Sequence, residues 1–257
     1  MLDPGRGRTK TGQLWAYARD DRPWGGVNPP MVAYVYAADR KGERAEAHLG
    51  DFAGILQVDG YGGYAALARR RQQIQLAFCR AHVRRKFYEL AGTSPVATEV
   101  LRRIALLYVI EDEVRGTSAD QRRQVRNERS RIIADDLRQY LEVRNRQVSA
   151  KAKLGEAIRY ALTRWDGLSR FIDDGRIDLD SNTVERAIRP LALNWKNALF
   201  AGSDEGGDNR AVIATLIENC KISGINPHTW ITETLSKFAA GHPANAVGVL
   251  MPWTAVP

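Results

Sequence analysis

The chain has 257 residues, enough for one large domain or two small ones, and 44% of them are hydrophobic, so a sizeable core can form. No apolar run approaches the ~20 residues of a membrane span, and the amino terminus lacks the apolar core of a secretory signal. Two cysteines, Cys79 and Cys220, make no disulfide framework and fit a reducing cytosol, while a net charge of +8 and a pI near 9.6 favour a polyanionic partner, most simply nucleic acid.

Residues 1–12 form a basic, glycine-rich loop in which Arg6, Arg8 and Lys10 can meet phosphate; a plain hairpin tip is the alternative. Residues 13–19 and 31–37 alternate as strands and should be antiparallel neighbours across the turn-rich stretch 20–30. The loop at 5–12 should join the first of these strands to an earlier one, which is expected to be missing because the chain starts inside the loop. A short polar helix follows at 42–52. The apolar run 55–58 then suits a buried strand and stops at Asp59 and Gly60. A carboxylate at the carboxyl end of such a strand points into the crevice where ligands of open α/β sheets bind. Its bland alternative is the opening of an Asp-Gly turn. A helix at 63–71 and a strand at 73–78 lead to a basic helix at 79–91. There Val83, Phe87 and Leu90 share an apolar face, and Arg80, Arg84, Arg85 and Lys86 are candidates for a DNA backbone or for solvent.

Residues 95–174 read as helical throughout. The first stripe is Leu101, Ile104, Leu107, Tyr108 and Ile110. A capping box, Ser118 with Gln121, opens the second, whose stripe is Val125, Ile132, Ile133, Leu137, Tyr140 and Leu141. A third helix carries Leu154, Ile158, Leu162, Trp165, Leu168 and Ile172. Arg122, Arg123, Arg126, Arg129, Arg131, Arg138, Arg144 and Arg146 make this segment a candidate DNA or partner surface. Asn182 and Glu185 have capping-box spacing, which as a pure cap is worth ~1 kcal/mol. An apolar stretch at 195–200, a flexible loop at 201–207 and helices at 210–222 and 227–238 complete the chain; Trp230, Ile231, Leu235 and Phe238 form the last stripe.

A strand-borne Asp59 and a helix-borne Glu185 suit metal-dependent phosphoryl transfer. Carboxylates are hard ligands for magnesium, and two ions can serve an in-line displacement. A third acid is expected on the first strand of the same sheet.

Several segments resemble transposases of the insertion sequence 66 family. Residues 56–64, Leu-Gln-Val-Asp-Gly-Tyr-Gly-Gly-Tyr, are similar to its second-acid motif, and residues 79–87 to the Cys-x-x-His helix that follows. Residues 181–190, Ser-Asn-Thr-Val-Glu-Arg-Ala-Ile-Arg-Pro, resemble its third-acid segment. Residues 4–12, 199–203 and 225–227 match it as well. The resemblance covers nearly the whole chain. It implies an α/β, ribonuclease-H-like mixed sheet with a DDE acid triad, a divalent metal (magnesium), and strand cleavage and transfer at insertion-sequence ends. Asp59 and Glu185 take the roles of second and third catalytic acid and metal ligand; Asn182, Arg186, Arg189 and His82 become site neighbours. Half of a zinc site is the other reading of Cys79 with His82. The implied partners are terminal-repeat and target DNA, further copies of the chain in the active complex, and accessory proteins of the element. The implied location is the bacterial cytosol at the nucleoid, with no membrane.

The expected organisation is a core at 1–94 truncated at its start, a helical insertion at 95–174, and core completion at 175–257. The family's first acid lies upstream of the Pro4-Gly5-Arg6-Gly7 loop, and Asp3, in a loop position, does not replace it. Asp20 and Asp21 follow the next strand and are not promoted. The expectation is therefore an impaired catalytic portion, with a non-catalytic DNA-binding remnant as the alternative.

Overall fold

The computed structural model describes residues 2–3, 8–194 and 201–254. Its strands are β1 (Leu2–Asp3), β2 (Arg8–Thr9), β3 (Gln13–Arg19), β4 (Met31–Ala37), β5 (Gly54–Val58) and β6 (Ile74–Phe78). Its helices are α1 (Gly42–Leu49), α2 (Gly62–Arg70), α3 (Arg80–Tyr88), α4 (Pro95–Val114), α5 (Ala119–Val125), α6 (Arg131–Gln147), α7 (Lys153–Leu162), α8 (Trp165–Ser169), α9 (Asn182–Asn194), α10 (Asp204–Ile222) and α11 (Pro227–Ala239). The chain divides into two compact units. One comprises Met1–Arg22, Val27–Arg44 and Asn182–Pro257; the other comprises Pro23–Gly26 and Ala45–Ser181.

In the first unit β3 and β4 pair antiparallel, with Trp15 opposite Val35. Alternation works as expected: Val32 and Tyr34 are buried while Met31 and Ala33 face out. A two-stranded hairpin is marginal alone, and here α10 supports it. Asn219 accepts from the Val32 amide at 3.1 Å and donates to its carbonyl at 2.7 Å; one turn earlier Thr215 accepts from the Tyr34 amide at 2.9 Å. Helical side chains thus satisfy backbone groups that a further strand would otherwise take. Small residues let α10 come this close. A Cβ on Gly207 would lie 2.8 Å from the Tyr36 ring, and Ala211 and Ala214 join Val32, Tyr34 and Ala187 in the core. The loop expected at 201–207 is shorter than read, because Asp204–Gly207 are already helical. Ser203 caps the Gly206 amide at 3.1 Å, and Asp204 and Glu205 sit at the positive helix end, which offsets the cost of the two glycines. In α11 no residue is buried, and Leu235 and Phe238 of its stripe are exposed. At the amino end Asp3 lies in β1, paired antiparallel with Arg8, rather than in a loop.

In the second unit β5 and β6 pair in parallel through α2, from Gly54 opposite Ile74 to Val58 opposite Phe78. α8 lies on β6 with Gly167 at the contact, where a Cβ would fall 2.4 Å from Phe78 Cδ2. The core combines Val83 and Phe87 of α3 with Val100, Ile104 and Leu107 of α4, Leu137 and Leu141 of α6, and Ile158 of α7. The capping box of Ser118 and Gln121 is present. A π-helical turn, Arg126–Ser130, joins α5 to α6 and rotates the face beyond it, so Ala134, Leu137 and Leu141 are buried while Ile132 is exposed. The third helix of this segment is broken into α7, α8 and a 3₁₀ turn at Arg170–Ile172. All three ladders among the described residues are two-stranded, and the chain is mixed α/β and mostly helical with small sheets.

Candidate active site

Asp59 sits just past β5, and Cys79 sits just past β6. The parallel register that sets Val58 beside Phe78 therefore brings both to the same strand end, where the Cys79 amide donates to the Val58 carbonyl at 3.1 Å. Asp59 is exposed. Its Oδ1 accepts from the Tyr61 amide at 2.9 Å, so the acid does open a turn, and Gly60 takes the positive φ of 98° that this turn requires. The Asp59 carbonyl accepts from Tyr160 Oη at 3.2 Å.

Cys79 is buried. Its Sγ accepts from the Ser181 amide at 3.2 Å, and His82, one turn along, also hydrogen-bonds it. Burial alone would raise the thiol, but the bonds from His82 and Ser181 outweigh it and hold Cys79 below the usual thiol range. The Arg80 amide donates to the Leu179 carbonyl at 3.0 Å, so the segment 179–181 is tied alongside the start of α3. Tyr108 is pushed up by burial, with the Asp180 and Cys79 charges adding to the effect.

Glu185 belongs to the first unit. It is exposed in the first turn of α9, with Arg186 and Arg189 also exposed and Asn182 half-buried. Ala187, one residue beyond Arg186, is buried and accepts from Tyr34 Oη at 2.6 Å, which anchors this helix on β4. Burial would raise the Asp20 carboxyl, but Arg22, with the Arg186 charge helping, holds it low. Asp20 and Asp21 bind Arg22 and Arg19 through paired contacts, with Nη2–Oδ2 distances of 2.7 Å in each case, so both acids hold the turn after β3.

The description Transposase IS66 family matches residues 1–209, and IS66 C-terminal element matches residues 215–253. The chain belongs to the IS66 transposase family. Uncharacterized protein y4qI of Sinorhizobium fredii (strain NBRC 101917 / NGR234) is 49% identical over 264 residues, covering 100% of this chain and 49% of the relative. Uncharacterized protein y4jD of the same strain is 44% identical over 260 residues, covering 98% and 51%. The chain spans about half the length of these curated relatives. No solved structure matches it.

On this IS66-family chain the structure brings Asp59, Cys79 and His82 together in one unit and sets Asn182, Glu185, Arg186 and Arg189 on one helix of the other. Arg84, Arg85 and Lys86 face solvent. Arg80 does not, which corrects its reading as a phosphate contact. It is 1% exposed, donates to the Leu168 carbonyl at 2.8 Å and lies 5.5 Å from the Phe171 ring centroid; burial pulls its guanidinium down to about 10, against the Tyr108 and Glu111 charges. Arg122 and Arg126 are likewise core residues rather than a DNA surface, tied to Glu111 and, for Arg122, Asp178. Lys10 is ion-paired with Asp204 at 2.5 Å, and Tyr36 Oη donates to the same carboxylate at 2.6 Å. Arg6 and residues 195–200 lie outside the described residues, as does the side chain of Arg8. Among the described residues no helix is long and apolar enough to cross a membrane.

Sequence reasoning missed Tyr160 and Arg164 at the Asp59 turn. Their i, i+4 spacing puts both on one helical face, but nothing local to residue 160 points to residue 59.

Proposed function

We propose that the chain is the catalytic portion of a DDE-type DNA transposase, cutting and joining strands at insertion-sequence ends, with Asp59 and Glu185 as two of its metal-binding acids. The observation that carries this is Asp59 itself, an exposed carboxylate at the carboxyl end of a parallel strand, inside the family-matched region. Family membership supports the pairing. Asp59 and Glu185 both lie within residues 1–209, the stretch matched by the transposase family. An antiparallel hairpin followed by a parallel strand–helix–strand unit supports the ribonuclease-H-like reading.

The donor set fits magnesium, since both acids are exposed and offer hard oxygens. Bound there, the ion supplies Lewis-acid activation of the attacking oxygen and stabilises the leaving one. The chain's own contribution is to fix Asp59 through its Asx turn and Tyr160, and to set the exposed Arg186 and Arg189 on the Glu185 helix, where they can meet phosphate. Partners are terminal-repeat and target DNA, engaged by more than one copy of the protein together with accessory proteins of the element.

The test is magnesium-dependent nicking of DNA carrying the element's terminal repeats. Only two acids are assigned, so cutting by these 257 residues should be weak. Asp59→Asn and Glu185→Gln should each abolish that cutting. Undiminished cutting in either variant refutes the assignment, and DNA binding without cutting in every version leaves a non-catalytic remnant.

A further inference from the structure

We propose that Lys86, Tyr160 and Arg164 form a seat for a DNA phosphodiester beside Asp59. The inference rests on the nuclease reading above and names a substrate contact at the same acid. Three elements of the second unit converge on the Asp59–Gly60 turn. Lys86 comes from α3, Tyr160 from α7, and Arg164 from the joint between α7 and α8. The approach is as close as glycine permits, since a Cβ on Gly60 would lie 2.7 Å from Tyr160 Oη and 3.3 Å from Arg164 Nε. Lys86 Nζ lies 4.7 Å and Arg164 Cζ 4.0 Å from the Tyr160 ring centroid, so the ring holds both cations in place.

Several other arginines of the second unit are matched by an acid, and these two cations are not. Arg102 is paired with Glu99 at 2.8 Å, Arg138 with Glu142 at 3.0 Å, and Arg129 and Arg131 with Glu113 and Asp173. Arg164 instead donates to neutral oxygens, the Tyr160 carbonyl and Thr163 Oγ1, each at 3.3 Å. Among the described residues neither Lys86 nor Arg164 has a carboxylate within 4.0 Å. Two positive charges and a phenol gathered beside an exposed acid, with neither cation in salt-bridge contact with a carboxylate among the described residues, match a phosphate oxygen and the sugar or base attached to it. The phenol registers the local charges: burial pushes Tyr160 up, Arg164 opposes this, and Asp59 adds to it.

The experiment measures fluorescence anisotropy of a labelled DNA duplex with the whole 257-residue chain, in EDTA, over a range of salt concentrations. Binding to duplex weakens with a slope of about −0.9 in log K against log salt per phosphate neutralised. Lys86→Gln and Arg164→Gln should each make the slope shallower by about 0.9, while Arg164→Lys keeps it. Arg102→Gln, which loses a cation already matched by Glu99, should leave it unchanged. A wild-type slope in both Gln variants, or an equal loss in Arg102→Gln, overturns the seat while the nuclease reading stands. Failure of the wild-type chain to bind duplex at any salt refutes the nuclease reading itself. Should Arg164→Gln melt early by circular dichroism, the exposed Lys86 carries the test alone.

Discussion

Replacing Arg126 by alanine should remove the strongest single tie inside the helical unit. Its guanidinium is fully buried and holds the Glu111 carboxylate through two contacts, Nε–Oε1 at 2.7 Å and Nη2–Oε2 at 2.6 Å. Its remaining nitrogen donates to the carbonyls of Phe171 at 2.8 Å and Asp174 at 3.2 Å. In Arg126→Ala, Glu111, which is 6% exposed in the native fold, keeps one long contact, from Arg122 at 3.4 Å. Breaking a buried pair from one side costs about 3–5 kcal/mol, because the other charge is left without its partner. That is a large share of the roughly 5–15 kcal/mol by which a domain is stable. Urea unfolding followed by circular dichroism should show a midpoint lowered by about 1–5 M at an ordinary slope of about 1–3 kcal/mol per M. The same reasoning says that the pair itself contributes little against an apolar pair of similar volume. Arg126→Met with Glu111→Leu should therefore recover most of the loss. A loss under about 1 kcal/mol in Arg126→Ala, or a double variant as unstable as the single, would refute it.

Gly167→Ala should cost about 1–3 kcal/mol by pushing α8 off Phe78, read as a lower melting temperature; an unchanged melt would show that the contact relaxes freely. Asn219→Leu leaves the Val32 amide and carbonyl unpaired in a buried setting and should cost about 2–3 kcal/mol, with faster amide hydrogen exchange at Val32 as its local signature. Arg19 and Asn28 hold the Asp21 carboxyl below its usual range through hydrogen bonds, outweighing burial. A depressed acid contributes stability above its unfolded value near 3.9, and that contribution is lost as pH falls through the folded value. The acid limb of stability against pH should therefore be shallower in Asp21→Asn, and superimposable limbs would count against the assignment. Gly60→Ala combines a φ of 98° with a clash at Tyr160 and should weaken duplex binding as well as lower the melting temperature; wild-type values for both would argue against the close approach.

Local rules carried part of this fold. The alternation of Gln13–Arg19 and Met31–Ala37 matches β3 and β4 residue for residue, and the Ser118 box opens α5 where its spacing requires. Such features are written in a few neighbouring side chains, so they can be read without the rest of the chain. The arginines could not be read this way. Arg80, Arg122 and Arg126 resemble surface cations in sequence, yet each is buried because carbonyls or carboxylates distant along the chain receive it. The helical start at Asp204 was missed because glycine composition outweighed the Ser203 cap in the reading. Ile132 was misplaced because a π turn changes the helical period.

For the site, the sequence alone determined Asp59 at a strand end, Glu185 at a helix start, and the family that motifs around both identify. Only the tertiary structure decided what surrounds Asp59: Cys79 at the end of the neighbouring parallel strand, and Tyr160, 101 residues further along the chain, with Lys86 and Arg164 against its ring. Strand and cap signals arise from bonds between near neighbours, whereas the charge and shape around an acid depend on which distant segments the core brings to it.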